Sequence, residues 1–208
     1  SNFIKKELSN YLPKNKIFTI HPDILITKNF QKKYSKIIKL LWVGRYSGEK
    51  NINDLIKSLH FLEDYNFQLT IIVDKNISKI KSQISRTNLK KIKFKKFKNN
   101  ISKEFIESHV LVITSIYEGF PNVVAEAINY NCLIISSNSR GGIKDLIKNN
   151  SYGIFYRLYN PKSLSDKIIF TINNYENLKK IIKKNRKRLI NLSNKNRDKY
   201  KKVFSKII

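Results

Sequence analysis

The sequence predicts an α/β protein, a doubly wound parallel sheet of about six strands with helices on both faces. Three observations carry that expectation. Short apolar runs alternate along the chain with segments whose apolar residues recur at helical spacing. Parallel neighbours need a crossover of that kind, usually a helix. Several of the runs, such as Lys39-Leu-Leu-Trp-Val-Gly44 and Val110-Leu-Val-Ile-Thr114, are apolar without alternation, as expected of strands covered on both faces. Finally, the stretch from Ser115 to Tyr130 reads as strand exit, tight turn and helix, with Val124, Ala127 and Ile128 on one face and Pro121 suited to a first helical turn.

In order, residues 1–37 open with a weakly amphipathic start (Phe3, Ile4, Leu8, Tyr11, Leu12), then Ile17-Phe-Thr-Ile20 and His21-Pro22, and read as a linker or residual interdomain segment. Strand Lys39–Gly44 is followed by a helix with Ile52, Leu55, Ile56 and Leu59 in phase. Strand Phe67–Val73 pairs with helix Ile77–Ile84, and strand Lys91–Lys95 with helix Ser102–Ser108. The fourth unit is Val110–Tyr130. The fifth is Cys132–Ser136 with a short helix Ile143–Ile147. Strand Tyr152–Tyr156 precedes Asn160-Pro161, a cap with proline at the first helical position, and helices fill Pro161–Ile208. No internal repeat is evident.

With 208 residues and 41% hydrophobic content the chain can bury one core. It lacks Met, so the natural start residue is missing and the sequence reads as excised from a longer chain. The single cysteine, Cys132, rules out an intrachain disulfide and suits a reducing, cytoplasmic compartment. No stretch reaches the ~18 apolar residues of a membrane span. Forty-two Lys+Arg against 15 Asp+Glu give a net charge of +27. Such a charge suits nucleic acid or an anionic membrane. The basic residues are nevertheless spread along the chain with no nucleic-acid recognition motif, and the Lys/Asn/Ile excess is what AT-rich codons produce. No nucleic-acid partner is therefore expected, while peripheral contact with an anionic membrane surface is. His21 and His60 read as surface or packing residues, and no metal-ligand cluster is visible.

The candidate site centres on Glu118-Gly119-Phe120-Pro121-Asn122-Val123, continuing to Glu126. In an open parallel sheet ligands sit beyond the carboxyl ends of the strands, and the first amides of the next helix are unpaired donors at its positive end. Glu118 and Glu126 are too far apart along the turn to hold one atom, but can grip two ends of a polyhydroxyl ligand. A hydrolase-type acid/base pair across a sugar fits them poorly.

The runs Gly44-Arg45…Lys50-Asn51, Glu118-Gly-Phe-Pro-Asn122…Glu126-Ala127 and Ser139-Arg-Gly-Gly-Ile-Lys-Asp145 resemble the donor-binding half of a retaining GT-B glycosyltransferase. Glycosyltransferase family 4, with its Glu-x7-Glu motif, is the most similar, over about residues 38–175. The resemblance implies a Rossmann-like half of a GT-B fold, with the donor-binding domain at 38–195 and a C-terminal helix at 196–208, carrying Tyr200 and Phe204, that would brace an absent N-terminal domain. It implies transfer of a sugar from a nucleoside diphosphate sugar to a saccharide or lipid-linked acceptor in cell-surface polysaccharide assembly. No metal cofactor is implied, and a fragment holding one wall of the cleft would be inactive alone.

Residue by residue, the resemblance implies that Arg45 and Lys50 neutralise the leaving diphosphate after Gly44. Glu118 would contact the transferred sugar, aided by amides of Gly119, Phe120 and Asn122, and Glu126 would accept from the ribose hydroxyls. Gly141 and Gly142 would offer amides to sugar or phosphate, and Phe97 and Lys98 would stand where the backbone meets the base. The sequence departs from the family at Val73-Asp74-Lys75-Asn76, where Gly-x-Gly is usual, at Asp145 for Glu and at Leu133 for Pro. Two competing classes are a non-catalytic nucleotide-binding module and a basic nucleic-acid-binding protein. The joint presence of Arg45, Lys50, Glu118 and Glu126 argues against the first.

Overall fold

The computed structural model describes residues 1–13, 17, 19, 21, 22, 24–27, 32 and 35–205. In chain order its elements are α1 (Asn2–Leu8), β1 (Ile38–Gly44), α2 (Ile52–Leu59) with a 3-10 turn at His60–Leu62, β2 (Phe67–Val73), α3 (Ile77–Lys81), α4 (Arg86–Leu89), β3 (Ile92–Lys96), α5 (Ser102–Glu107) and β4 (Val110–Ile113). Then follow β5 (Tyr117–Glu118), α6 (Asn122–Asn129), β6 (Leu133–Ser137), β7 (Arg140–Gly141), α7 (Ile143–Leu146), β8 (Ile154–Tyr156) and α8 (Pro161–Phe204).

Six strands form one parallel sheet in the order β3-β2-β1-β4-β6-β8, and β5 pairs with β7 in a small parallel ribbon. The expected Rossmann-like sheet is thus observed. The chain runs outward from β1 to β3 and returns to β4 on the other side of β1, so the switch of direction lies between β1 and β4. Edge strand β3 carries Lys93, Lys95 and Lys96, which discourage pairing with another sheet.

Strand parity divides the core. Leu40, Trp42, Val110, Val112, Leu133 and Ile135 point to one face, under α2, Ile80 and the first part of α8. Leu41, Val43, Leu111, Ile113 and Ile134 point to the other, under Phe105, Val124, Ile128 and Ile147. Successive side chains of a strand alternate, so an unbroken apolar run feeds both cores at once. Helix α8 serves both: Leu164, Ile168 and Ile182 belong to the first core and Leu189 to the second. It bends at Asn174, whose φ of −125° and ψ of 15° interrupt the helix. Asn160 caps it by accepting from the Ser163 amide at 2.8 Å, as the Asn-Pro pair led us to expect.

Three expectations change. Residues 1–13 are not irregular throughout: Ser1 caps α1, which lies against β7. Pro121 stands one residue earlier than expected, as the N-cap of α6 with φ −80° and ψ 87°. The helix expected at 77–84 closes at Lys81 and gives way to α4, whose cap Ser85 accepts from Asn88 N. Of the run Ile17–Ile20, Phe18 and Ile20 lie outside the described residues, as do residues 206–208 and the Phe204 side chain.

Candidate functional site

The site is assembled from the loops that leave β1, β4 and β6 at the carboxyl edge. Gly44 ends β1 under the Trp42 ring, and a Cβ there would stand 2.8 Å from that ring. Trp42 Nε1 donates to Thr114 Oγ1 at 2.9 Å, Thr114 Oγ1 donates to the Lys50 carbonyl at 2.7 Å, and the Ile116 amide donates to the Glu49 carbonyl at 2.8 Å. Lys50, far from Thr114 in sequence, is thereby pinned to the exit of β4. Asn51 closes the loop in the left-handed region, with φ of 43°. Asp74, in the loop that departs from the family pattern, accepts from the Tyr46 amide at 2.7 Å, and that bond holds its carboxyl below the usual carboxylate range. The departure thus ties the β1 and β2 loops together.

At the switch point Lys50 Nζ meets Glu118 Oε1 at 2.6 Å, and Ser115 Oγ donates to the same oxygen at 2.6 Å. The Glu118 side chain is 9% exposed and that of Lys50 19%. A carboxylate this buried is tolerated because two donors satisfy it. Ser137 Oγ donates to the Ser115 carbonyl at 2.6 Å, locking the β4 exit to the end of β6.

Glu118 ends β5 and pairs with Gly141 in the β5–β7 ribbon. Gly141 has φ of +109°, and any side chain there would collide with the Glu118 carbonyl. The Gly142 amide donates to that carbonyl at 2.6 Å. The expectation that both glycines offer amides to a ligand is therefore corrected for Gly142. The Asn122 amide likewise donates to the Phe120 carbonyl at 3.0 Å. Among the described residues the amides of Gly119, Phe120 and Val123 donate to no backbone carbonyl. Those three are the donors the start of α6 presents.

Glu126 lies on the exposed side of α6, with no side-chain hydrogen bond or ion pair among the described residues. Desolvation alone raises its carboxyl above the usual glutamate range. Such a group gains from hydroxyl donors supplied by a ligand. Arg45 is exposed and reaches Glu49 only at 3.9 Å, so its guanidinium is available beside the crevice. Phe97 and Lys98 are exposed in the segment that leaves β3, two strands from β1. Of the expected site residues, the structure brings Lys50 and Glu118 into contact, stacks Gly141 and Gly142 on Glu118 and Gly119, and leaves Arg45, Glu126, Phe97 and Lys98 as separate groups along one edge.

Sequence reasoning missed Ser115, Thr114, Asp74, Asn2 and His21. Ser115 and Thr114 stand in the motif stretch, yet hydroxyls at a strand exit have no special spacing. His21 was expected to be a surface or packing residue. It is 5% exposed, its Nε2 lies 3.1 Å from Asp145 Oδ2, and its ring lies 4.8 Å from that of Phe120. Asn2 donates to both oxygens of Asp145, from its amide at 2.8 Å and from Nδ2 at 3.0 Å. Burial works to raise the Asp145 carboxyl, but the bonds from His21 and Asn2 outweigh it and hold it below the usual range. A separate concavity of about 550 Å³, lined by Ile56, His60, Phe61, Tyr159 and Lys162, includes none of the loop residues of the switch point. No cluster of His, Cys, Asp and Glu that could hold a metal occurs among the described residues.

A six-stranded parallel sheet whose direction switches between β1 and β4 defines an α/β protein of the Rossmann-like class. The chain matches the family described as Glycosyl transferases group 1 over residues 23–188, and it belongs to that family. It is 26% identical over 163 residues to a Campylobacter jejuni alpha-1,4-N-acetyl-D-galactosaminyltransferase that acts on GalNAc-alpha-(1->4)-GalNAc-alpha-(1->3)-diNAcBac-PP-undecaprenol, covering 76% of this chain and 45% of the relative. The chain spans about half the length of the curated relatives it matches.

Among solved structures it is similar to a Staphylococcus aureus TarM variant in complex with fondaparinux, alpha-GlcNAc-glycerol and UDP, with a TM-score of 0.85 and 22% identity over 98% of this chain and 42% of that one. It is also similar to the C-terminal domain of a glycosyl transferase group 1 family protein from Francisella tularensis, with a TM-score of 0.63 and 19% identity over 74% of this chain and 84% of that one. At these identities the likeness is one of fold, and the neighbours are GT-B glycosyltransferases.

Proposed function

We propose that this chain is the C-terminal, donor-binding half of a retaining glycosyltransferase of family 4. It would take a nucleoside diphosphate sugar and, with an upstream acceptor domain, transfer the sugar to a saccharide or lipid-linked acceptor in cell-surface polysaccharide assembly. The observation that carries the reading is the Lys50–Glu118 contact of 2.6 Å at the switch point, beside the unpaired amides at the start of α6. Breaking the bond between the anomeric carbon and the phosphate places negative charge on the leaving diphosphate, and a pre-placed cation with amide donors stabilises it. Lys50 supplies a point charge held ready by Glu118. Arg45 supplies a mobile fork from the rim.

Glu126 takes the ribose hydroxyls, since an ionised carboxylate accepts two vicinal donors, and Phe97 and Lys98 face the base. The sugar lies between Glu118 and the Gly119 and Gly141 loops. Metal is dispensable in this arrangement because Lys50 and Arg45 do its electrostatic work. Attachment to the inner face of the cytoplasmic membrane fits the exposed lysines at 180, 183, 184 and 187 along α8. No helix among the described residues is long and apolar enough to cross a membrane.

The test is calorimetric titration of the chain with UDP, GDP, ADP and their hexose and N-acetylhexosamine esters, in EDTA and again in magnesium. One nucleoside diphosphate should bind equally well in both buffers, and Lys50→Ala should weaken it. Binding that vanishes in EDTA would overturn the metal-free reading. Failure of every nucleotide would overturn the donor-binding reading itself. The chain alone should not transfer sugar to an acceptor, because positioning of two reactants is worth roughly 7–11 kcal/mol and only one wall of the cleft is here.

A further inference from the structure

We infer that His21 is a positioning residue for the donor-sugar loops, because one imidazole joins Asp145 behind the Gly141-Gly142 loop to Phe120 beside Gly119. The functional half of this inference rests on the donor-binding reading.

The ring has a firm base. The His21 amide donates to Asn196 Oδ1 at 2.9 Å, and Asn196 Nδ2 donates back to the His21 carbonyl, so a residue of α8 grips both backbone groups. The following segment is held as well. Arg186 donates from Nη2 to the Thr27 carbonyl at 2.7 Å and from Nε to the Asn129 carbonyl at 3.1 Å, and Asn129 Nδ2 donates to the Leu25 carbonyl at 2.8 Å. With its backbone fixed to α8 and its ring buried, His21 has little freedom to follow the loops it touches. The loops must follow it.

Each contact leads to one loop. An ionised carboxylate only accepts, so at 3.1 Å from Asp145 Oδ2 the His21 Nε2 carries the proton and donates. Asp145 sits in the first turn of α7, and its amide donates to the Gly142 carbonyl at 3.0 Å. Fixing Asp145 therefore fixes the Gly141-Gly142 turn, which in turn bonds the Glu118 carbonyl. The other face of the ring meets Phe120 at 4.8 Å and a 41° tilt. Phe120 neighbours Gly119, whose amide is among the unpaired donors. Asp145 stands where the resembling family usually carries Glu. Here its carboxylate is occupied by Asn2 and His21. In this chain the position holds the loop, and the histidine sets where it is held.

The test needs two variants with complementary losses and a readout that is independent of any ligand. The chain has six glycines, so glycine-selective 15N labelling gives six amide signals. His21→Phe keeps the aromatic contact and loses the donor to Asp145; it should move the Gly141 and Gly142 signals most and Gly119 less, since the Gly119 amide shares a peptide unit with the Glu118 carbonyl that Gly142 bonds. His21→Gln keeps a donor and loses the ring; it should move Gly119 most and the other two less. Gly44, Gly48 and Gly153 should stay in both. The same order of shifts in both variants, or no shift in either, would overturn the inference.

The second readout is the affinity ratio of nucleotide sugar to bare nucleotide, for the pair that the titration series identifies. Each variant should weaken the sugar nucleotide about tenfold, the cost of misplacing one or two hydrogen bonds, and shift the bare nucleotide less than about twofold. Equal loss for both ligands would reduce His21 to a general structural role. Absence of nucleotide binding by the unmodified chain would sink the donor reading, and the glycine spectra would still decide whether His21 sets the loops.

Discussion

Replacing Lys50 by alanine tests the centre of the site without presuming a ligand. The substitution leaves the Glu118 carboxylate, 9% exposed, with Ser115 Oγ as its remaining side-chain donor. Removing one partner of a buried ion pair costs ~3–5 kcal/mol. The Lys50 side chain is 19% exposed, so water can reach part of the space it vacates, and about 2–3 kcal/mol is the better figure here. At roughly 2–4 °C per kcal/mol for a domain of this size, Lys50→Ala should lower the melting temperature by ~5–10 °C. Glu118→Gln should cost less, since an unpaired lysine near the surface hydrates readily while the amide still meets Ser115.

A double replacement, Lys50→Met with Glu118→Leu, removes both desolvation penalties. It should recover most of the stability while abolishing nucleotide binding. Urea unfolding of the unmodified chain, Lys50→Met, Glu118→Leu and their double variant, read by Trp42 fluorescence, closes the cycle. If Lys50→Ala costs under about 0.5 kcal/mol, or if the two sites are additive, the contact is not a coupled buried pair and the argument fails.

Four further outcomes follow from the geometry. Glu126→Ala should weaken the bare nucleoside diphosphate more than tenfold, as loss of a charged hydrogen-bonding partner costs ~1.5–3 kcal/mol, whereas Glu118→Ala should chiefly affect the sugar nucleotide; equal losses for the bare nucleotide would refute that division. Because the Glu126 carboxyl is raised, its accepting form is present above that raised value, and affinity should fall on acidification earlier than for an ordinary glutamate; a profile unchanged by Glu126→Gln would contradict this. Gly141→Ala forces a left-handed backbone and a collision with the Glu118 carbonyl, so it should cost more than about 3 kcal/mol in urea unfolding, against little for Gly48→Ala, where nothing lies within 4 Å. Asp145, depressed in the folded state, contributes stability above the unfolded carboxylate value that is lost as pH falls through the lower folded one; Asp145→Asn should flatten the loss of stability on acidification below the ordinary carboxylate range, and an unaltered slope would argue against the His21 and Asn2 bonds.

Local chemistry made the scaffold legible. The unbroken run at Lys39–Gly44 is a strand because Leu40 and Trp42 feed one core and Leu41 and Val43 the other. The phase of Ile52, Leu55, Ile56 and Leu59 is that of a helix lying on the sheet. Asn160-Pro161 is a helix start because side-chain capping and proline geometry act within a few residues. The motif around Glu118 was readable for the same reason, since a strand, a glycine turn and a helix are consecutive. The resemblance implied separate roles for Lys50, on the leaving diphosphate, and Glu118, on the transferred sugar, and did not join them.

Their contact was decided by the tertiary structure, as it joins residues 68 apart through two loops that meet only when β1 and β4 are neighbours. Helix α8 bends at Asn174 and passes from the first core to the second only between Ile182 and Leu189, and no periodicity announces either. Least visible was the first part of the chain, whose Asn2 and His21 reach Asp145 across separations of 143 and 124 residues. Hydrogen bonds between single polar side chains leave no repeating pattern. Their partners are set by how the loops close over a packed sheet, which is a property of the whole chain rather than of any segment.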